Sequence, residues 1–308
     1  MVNHDNEYDV IIIGGGPAGL TAGIYTARAR LDSLLIERGM VGGQIVNAEL
    51  VENYPGFLEG ISGYDLTELM HKQATKFGLK TVIAEATGIE LKGEQKVVKT
   101  TEGDFTARSV IIANGSERVK LGVPGEEEFT GRGVSYCATC DAAFFRDKAV
   151  AVVGGGNAAL TESLQLSKFA SKVLVIHRRN ELRATRILQE KASAEPGIEL
   201  VLDSVVEEIE GEDFCKGIRI RNVIDGKEFF LDVDGVFIAI GFKPNTDYLK
   251  DVLALDAIGA VITDSNLGTE IHGVFAAGDI RHNSGRQVIT AAGDGAAAAI
   301  NAEKFINQ

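Results

Sequence analysis

One short pattern occurs twice in this chain, and it constrains the fold more than any other feature. Tyr8-Asp-Val-Ile-Ile-Ile-Gly14-Gly-Gly16-Pro-Ala18-Gly19 reads as a buried strand, a glycine turn and the start of a helix, and Ser33-Leu-Leu-Ile-Glu37 adds a second strand. Ala149-Val-Ala-Val-Val-Gly154-Gly-Gly156-Asn157-Ala158-Ala159 repeats the pattern, closed by Lys172-Val-Leu-Val-Ile-His177. Gly14 and Glu37 are 23 residues apart, as are Gly154 and His177, and the copies are offset by 140 residues. The fold class predicted is α/β, with two Rossmann-like dinucleotide-binding domains.

Each glycine has a physical task in such a unit. The first (Gly14, Gly154) permits the tight turn. The second (Gly16, Gly156) lets the backbone reach a pyrophosphate at the helix N-terminus, where unpaired N–H groups and the helix dipole attract anions. The third position, Gly19 or Ala159, is expected to need only a small residue for packing of helix on strand. The residue closing each unit separates the two ligands. Glu37 can accept hydrogen bonds from a ribose diol and would repel a 2′-phosphate, as expected for FAD or NAD. In the second copy that place is His177, followed by Arg178, Arg179 and Arg183. Three guanidiniums so close can bind a phosphate through paired, charge-assisted hydrogen bonds, which predicts NADP.

The remaining segments set the domain organisation. A helix is expected near Gly63–Phe77, alternating segments from Leu79 to Val98, and a buried strand at Ser109–Ala113. Gly235–Gly241 repeats the ending of Val110–Gly115, an apolar strand followed by glycine. The last 60 or so residues, with the alanine-rich helix Val288–Phe305, bury too little surface to stand alone and must pack on an earlier half. The expectation is a discontinuous first domain, residues 1–116 and 245–308, with residues 117–244 inserted into it.

Composition narrows the partners. The chain is 45% apolar and 24% charged, ordinary for a globular protein, but it holds 36 Gly against 5 Pro. Forty-four acids against 31 Lys and Arg give a net charge of −13, which repels nucleic-acid phosphates and anionic membranes. No apolar run approaches the roughly 18 residues of a membrane span, and no export signal is read, so the expected location is the cytoplasm.

Cys137-Ala-Thr-Cys140, followed by Asp141, stands just before the second unit, and Cys215 stands alone. Two cysteines so spaced can bind metal or close a small disulfide ring. Metal needs more ligands, and His4, His71, His177, His272 and His282 are scattered, so no metal site is expected. Cys215 reads as a small buried hydrophobe. A dithiol beside two dinucleotide sites suits electron transfer from a nicotinamide through a flavin to a disulfide, because flavin can take a hydride and pass electrons to sulfur.

The chain closely resembles the low-molecular-weight thioredoxin reductases over essentially its whole length. The resemblance rests on Gly14-Gly-Gly-Pro-Ala-Gly19, Gly42-Gly-Gln44, Val51-Glu-Asn-Tyr-Pro-Gly56, Gly133-Val-Ser-Tyr-Cys-Ala-Thr-Cys-Asp141, His177-Arg-Arg179 with Arg183, Ala276-Ala-Gly-Asp279 and Arg286-Gln287, in that order. It implies a homodimer that passes electrons from NADPH through FAD and the Cys137/Cys140 disulfide to thioredoxin or a thioredoxin-like protein. It further implies that Cys140 faces the flavin, Cys137 attacks the partner, and Asp141 serves as acid and base, a role compatible with its also capping a helix. FAD contacts are implied for Gly14, Gly16, Ala18, Gly19, Glu37, Arg38, Gly43, Gln44 and Asn53, and for Ala113, Gly115, Gly278, Asp279, Arg286 and Gln287. For NADPH they are implied for Gly154, Gly156, Asn157, Ala158, His177, Arg178, Arg179 and Arg183.

Three positions depart from the family pattern. Asn114-Gly115 stands where Thr-Gly is common, with the short polar side chain expected to serve alike. Ala142 follows Asp141 where Gly is usual. Leu160-Thr161-Glu162-Ser163 keeps one acid of the usual pair, on the nicotinamide side. Other readings fare worse. A ferredoxin or flavodoxin reductase would lack the Cys pair, a dithiol oxidase would lose the second fingerprint, and a nucleotide sensor would have no use for a redox pair.

Overall fold

Apolar runs with no polar alternation suit parallel strands covered on both faces, and the computed structural model, which describes residues 6–48 and 50–308, places them there. The chain divides into two units, one holding residues up to Glu117 and from Lys243 onward, the other Arg118–Phe242. The second is inserted into the first. His4 lies outside the described residues.

The first unit opens with β1 (Glu7–Ile13), α1 (Pro17–Arg28) and β2 (Ser33–Glu37), and β1 and β2 pair in parallel with Ile13 opposite Ile36. Alternate β1 side chains enter two cores, Val10 and Ile12 on one face, Ile11 and Ile13 on the other. α2 (Gly63–Lys76) starts where the Ser62 hydroxyl accepts from the Asp65 amide at 3.0 Å. β3 (Lys80–Ile83) runs parallel to β2. The hairpin strands β4 (Ala86–Lys92), β5 (Gln95–Thr100) and β6 (Gly103–Ile112) follow, and β7 (Ser116–Arg118) leads to the second unit. The sheet order is β3-β2-β1-β6-β5-β4.

In the second unit β8 (Val134–Ser135) precedes the single turn α3 (Ala138–Asp141), and β9 (Ala149–Val153), α4 (Asn157–Leu166) and β10 (Lys172–Ile176) form the repeated strand, helix and strand. α5 (Arg186–Ala194) and β11 (Ile198–Val201) continue it, and β12 (Ser204–Gly211), β13 (Cys215–Asn222) and β14 (Glu228–Asp232) form a separate antiparallel sheet. β15 (Gly235–Ile238) completes a parallel sheet of order β11-β10-β9-β15-β8. As in β1, alternate β9 residues serve opposite cores.

β16 (Phe242–Pro244) pairs with β7, so the two segments that cross between the units run side by side. Returning to the first unit, β17 (Val274–Ala276) pairs with the second half of β6, Ala276 opposite Ile112, whereas β5 takes the first half. α6 (Val288–Ile306) packs on α1 so closely that a Cβ at Gly295 would lie 2.0 Å from the Ala18 carbonyl oxygen. The alanine-rich composition of α6 follows from that approach.

Candidate active site

In the first unit the turn from β1 to α1 needs Gly14, whose φ of +104° L side chains rarely adopt and whose Cβ would strike Ala113 and Asn114. Ala113 and Asn114, just after β6, therefore lie against the turn. At Gly19 the structure corrects the expectation that any small residue suffices, because a Cβ there would lie 1.8 Å from the Gly14 carbonyl oxygen. Gly16 caps α1 without a side chain, no acid stands in the first turn, and a Cβ at Gly16 would come no closer than 3.9 Å to Gly43. That open, donor-rich turn fits a pyrophosphate.

Glu37 supports the turn from behind, Oε2 accepting from the Gly15 amide at 2.6 Å and Oε1 from the Gly39 amide at 3.0 Å. Arg38 pairs with Glu117 at 2.6 Å, the Gln44 amide donates to the Ser116 carbonyl, and Asn53 donates to Gln287 at 3.1 Å. Asn114 and Asn245 exchange side-chain-to-backbone hydrogen bonds, each at 2.8 Å, and the Tyr248 hydroxyl donates to Asn114 Oδ1 at 3.2 Å. The asparagine thus makes contacts that sequence reasoning did not assign to it. Asp294 holds the Gly278–Arg281 turn, accepting from the Gly278 amide at 3.1 Å and from Arg281 at 2.7 Å, while Asp279 accepts from Ser284 at 2.7 Å. Arg286 has a φ of +51°, and Gln287 caps α6. Beyond Glu37 a cavity of about 300 Å³ is lined by Gly39, Met40, Val41, Tyr64, Thr67, Glu68, His71 and Ile83.

The second glycine turn is built alike but guarded differently. Gly156 caps α4 without a side chain, no acid stands in the first turn, and nothing lies within 4 Å of where its Cβ would be. The His177 ring packs on Gly155, where a Cβ would come within 2.4 Å of it. His177 is 5% exposed and its Nε2 has no hydrogen-bond partner among the described residues. Burial pushes the imidazole below its usual range and Arg183, Arg179 and Arg178 push the same way, against a hydrogen bond to the Glu181 backbone, so the ring is neutral at pH 7. The Gly155 carbonyl accepts from the amides of Arg183, at 2.7 Å, and Ala184, at 3.1 Å. Arg178, Arg179, Arg183, Asn157 and Ala158 are exposed.

Cys137 and Cys140 are disulfide-bonded, their Cα atoms 5.3 Å apart. Cys137 begins α3, its sulfur accepting from the Cys140 amide at 3.2 Å. Asp141 caps no helix with its carboxyl, which instead accepts from the buried Ser135 hydroxyl. Burial raises the Asp141 carboxyl above its usual range, opposed by that hydrogen bond and by the Arg118 charge. Glu162, on the α4 helix that packs against α3, is pushed up to about 7 by burial, and its Oε2 has no hydrogen-bond partner among the described residues. Arg118 lies over the rings of Tyr136 and Phe242, at 5.5 and 5.3 Å. The Tyr136 hydroxyl donates at 2.7 Å to Glu126, which is 2% exposed and also accepts from the amides of Leu121 and Gly122.

A family model described as pyridine nucleotide-disulphide oxidoreductase matches residues 8–295. Curated thioredoxin reductases match at full length, that of Peptoclostridium acidaminophilum at 46% identity over 98% of both chains and that of Bacillus subtilis (strain 168) at 44% over 100% of this chain and 97% of the other. The chain belongs to the thioredoxin reductases. The crystal structure of thioredoxin reductase from Streptococcus pyogenes MGAS5005 superposes with a TM-score of 0.94 at 44% identity, covering 98% of this chain and 99% of that one.

Thioredoxin reductase sequence motifs find the turns and the dithiol but not what holds them. Ser135 stands inside the Gly133–Asp141 motif without a role assigned to it, and Glu126 and Arg118 lie outside every motif, so only their neighbourhood gives them weight. Cys215 is buried, and burial pushes its thiol up to about 11. Among the described residues no three His, Cys, Asp or Glu lie together as metal ligands, and no helix is long and apolar enough to cross a membrane.

Proposed function

We propose that this chain is an NADPH-dependent thioredoxin-disulfide reductase, with FAD held by residues 1–116 and 245–308 and NADPH by residues 117–244. The observation that carries the reading is the Cys137–Cys140 disulfide beside a buried Asp141, on the same unit as a glycine turn flanked by three arginines. Thioredoxin reductases of this family use FAD and NADPH. FAD, when bound, supplies the chemistry that links a hydride donor to a disulfide.

The chain's own residues bind, orient and move protons. Gly14 makes the turn, Gly16, Ala18 and Gly19 present amides to the FAD pyrophosphate, Glu37 takes the ribose, and the cavity beyond it suits the adenine. Arg38, Gly43, Gln44, Asn53, Ala113, Gly115, Gly278, Asp279, Arg286 and Gln287 complete that site. Gly154, Gly156, Asn157 and Ala158 frame the NADPH pyrophosphate, and His177, Arg178, Arg179 and Arg183 receive the 2′-phosphate.

With the pair reduced, the Cys137 thiolate attacks the disulfide of a thioredoxin-like partner. That bond breaks as a mixed disulfide forms, and the leaving thiolate takes the proton of Asp141. Cys140 then gives its proton to Asp141 and attacks the Cys137 sulfur, restoring the internal disulfide and releasing a second thiolate that water protonates. The working form is a homodimer, and the location a reducing cytoplasm.

The test is direct. The purified protein should be yellow, bleach under NADPH without oxygen, and reduce thioredoxin. A protein that bleaches yet leaves thioredoxin oxidised would overturn the partner assignment.

A further inference from the structure

Ser135 is 6% exposed at the end of β8, opposite Phe237 of β15, and makes two hydrogen bonds at once. Its hydroxyl donates to Asp141 Oδ2 and accepts from the Cys137 amide at 3.1 Å. A hydroxyl has one hydrogen, and with the Cys137 N–H aimed at the oxygen that hydrogen is free for the carboxylate. The carboxyl and the backbone of Cys137 therefore hang from one atom, which is itself fixed by a parallel strand. The turn of α3 closes the ring, because the Asp141 amide donates to the Cys137 carbonyl at 3.1 Å.

We propose that Ser135 is a positioning residue for the dithiol chemistry, its hydroxyl keeping the Asp141 carboxyl at a fixed spacing from Cys137 while the disulfide opens and closes. The proposal rests on Asp141 acting as the acid and base, as read above. A disulfide that opens frees two sulfurs, and in a segment of one helical turn only outside contacts can keep the acid in register. Ser135 is such a contact on the Cys137 side. The charged group that acts on Asp141 is Arg118, whose positive charge acts on Glu162 of α4 as well. The Ser135 hydrogen bond stabilises the ionised carboxylate against burial. Removing it moves Asp141 further up in pH.

The experiment uses the FAD-loaded protein with NADPH and thioredoxin. Thioredoxin reduction by pre-reduced enzyme is followed in single turnovers across a pH series, and alkylation of the reduced pair by iodoacetamide is followed over the same series. Wild type, Ser135→Ala, Ser135→Thr, Asp141→Asn and the Ala/Asn double variant are compared. Ser135→Ala should shift to higher pH the limb that Asp141→Asn abolishes, and should slow the step about tenfold, a part of what a positioned acid–base group supplies. Ser135→Thr, which keeps the hydroxyl, should restore the limb, and Ser135→Ala should add nothing in the Asp141→Asn background. An unmoved limb in a folded Ser135→Ala protein overturns the positioning role. If Asp141→Asn keeps the limb, the acid–base reading fails first and takes this proposal with it. Ser135→Gly removes the same hydroxyl and decides the matter should the alanine variant not fold.

Discussion

The Thr185 amide donates a hydrogen bond to the Asn157 side chain at 2.8 Å, tying the start of α5 to the glycine turn of α4. With the two amides donated to the Gly155 carbonyl, it docks the segment that carries Arg183 against His177. Asn157→Ala should loosen that segment at a cost of about 1 kcal/mol, or about fivefold in KM for NADPH. KM for NADH should change less. Steady-state kinetics with both donors checks this, and equal losses would show that Asn157 does not serve nucleotide choice.

Arg178 and Arg179 are exposed beside the neutral His177 ring. Replacing both with Ala should raise KM for NADPH far more than for NADH, by about 1.5 to 3 kcal/mol per lost charge-assisted contact. Titration with 2′,5′-ADP gives an independent reading of the same site. Unchanged affinity for it would sink the 2′-phosphate assignment.

Cys140→Ser removes a disulfide that closes only a four-residue ring, so its stability cost is about 2 kcal/mol at most. Thioredoxin reduction should vanish while FAD stays bound and is still bleached by NADPH. Visible absorbance and a turnover assay separate the two effects, and loss of the flavin would show that the pair is structural.

Glu162 should give stability a pH dependence of its own. Its carboxyl is favoured neutral in the fold, to about pH 7, against about 4.5 when unfolded. The folded state therefore binds more protons between those values. The stability is fully present below about pH 4.5 and is lost as pH rises through about 7. Discounted for partial exposure, the effect is about 2 kcal/mol. Urea unfolding at pH 5 and pH 8 should show it in wild type and not in Glu162→Gln.

These residues also mark how far the sequence could be read. The glycine turns, the strands on either side and α6 are legible because their demands are local: a strand period, a turn that only Gly adopts, a run of Ala. Side-chain partners across the fold are not local. Glu37 reads as a ribose acceptor, but that reading does not show that its two oxygens also each hold a backbone amide of its own turn region. Asp141 reads as a possible cap, yet its carboxyl reaches back six residues to a strand. Ser135 in a short strand looks like any other serine of a sheet. Its weight comes only from where β8 ends relative to α3, which no periodicity encodes.

The split partnership of β6 bears on how the chain is made. Its first half is matched by β5, the next strand back in sequence, but its second half waits for β17, more than 160 residues later, and α1 waits for α6. The inserted unit has all its strands by Ile238. On a ribosome delivering residues in order, the inserted unit can close its cores while the outer one still lacks a strand and a helix. The unit begun first is the one finished last, so the outer sheet's unpaired edge is the stretch of nascent chain most in need of a chaperone.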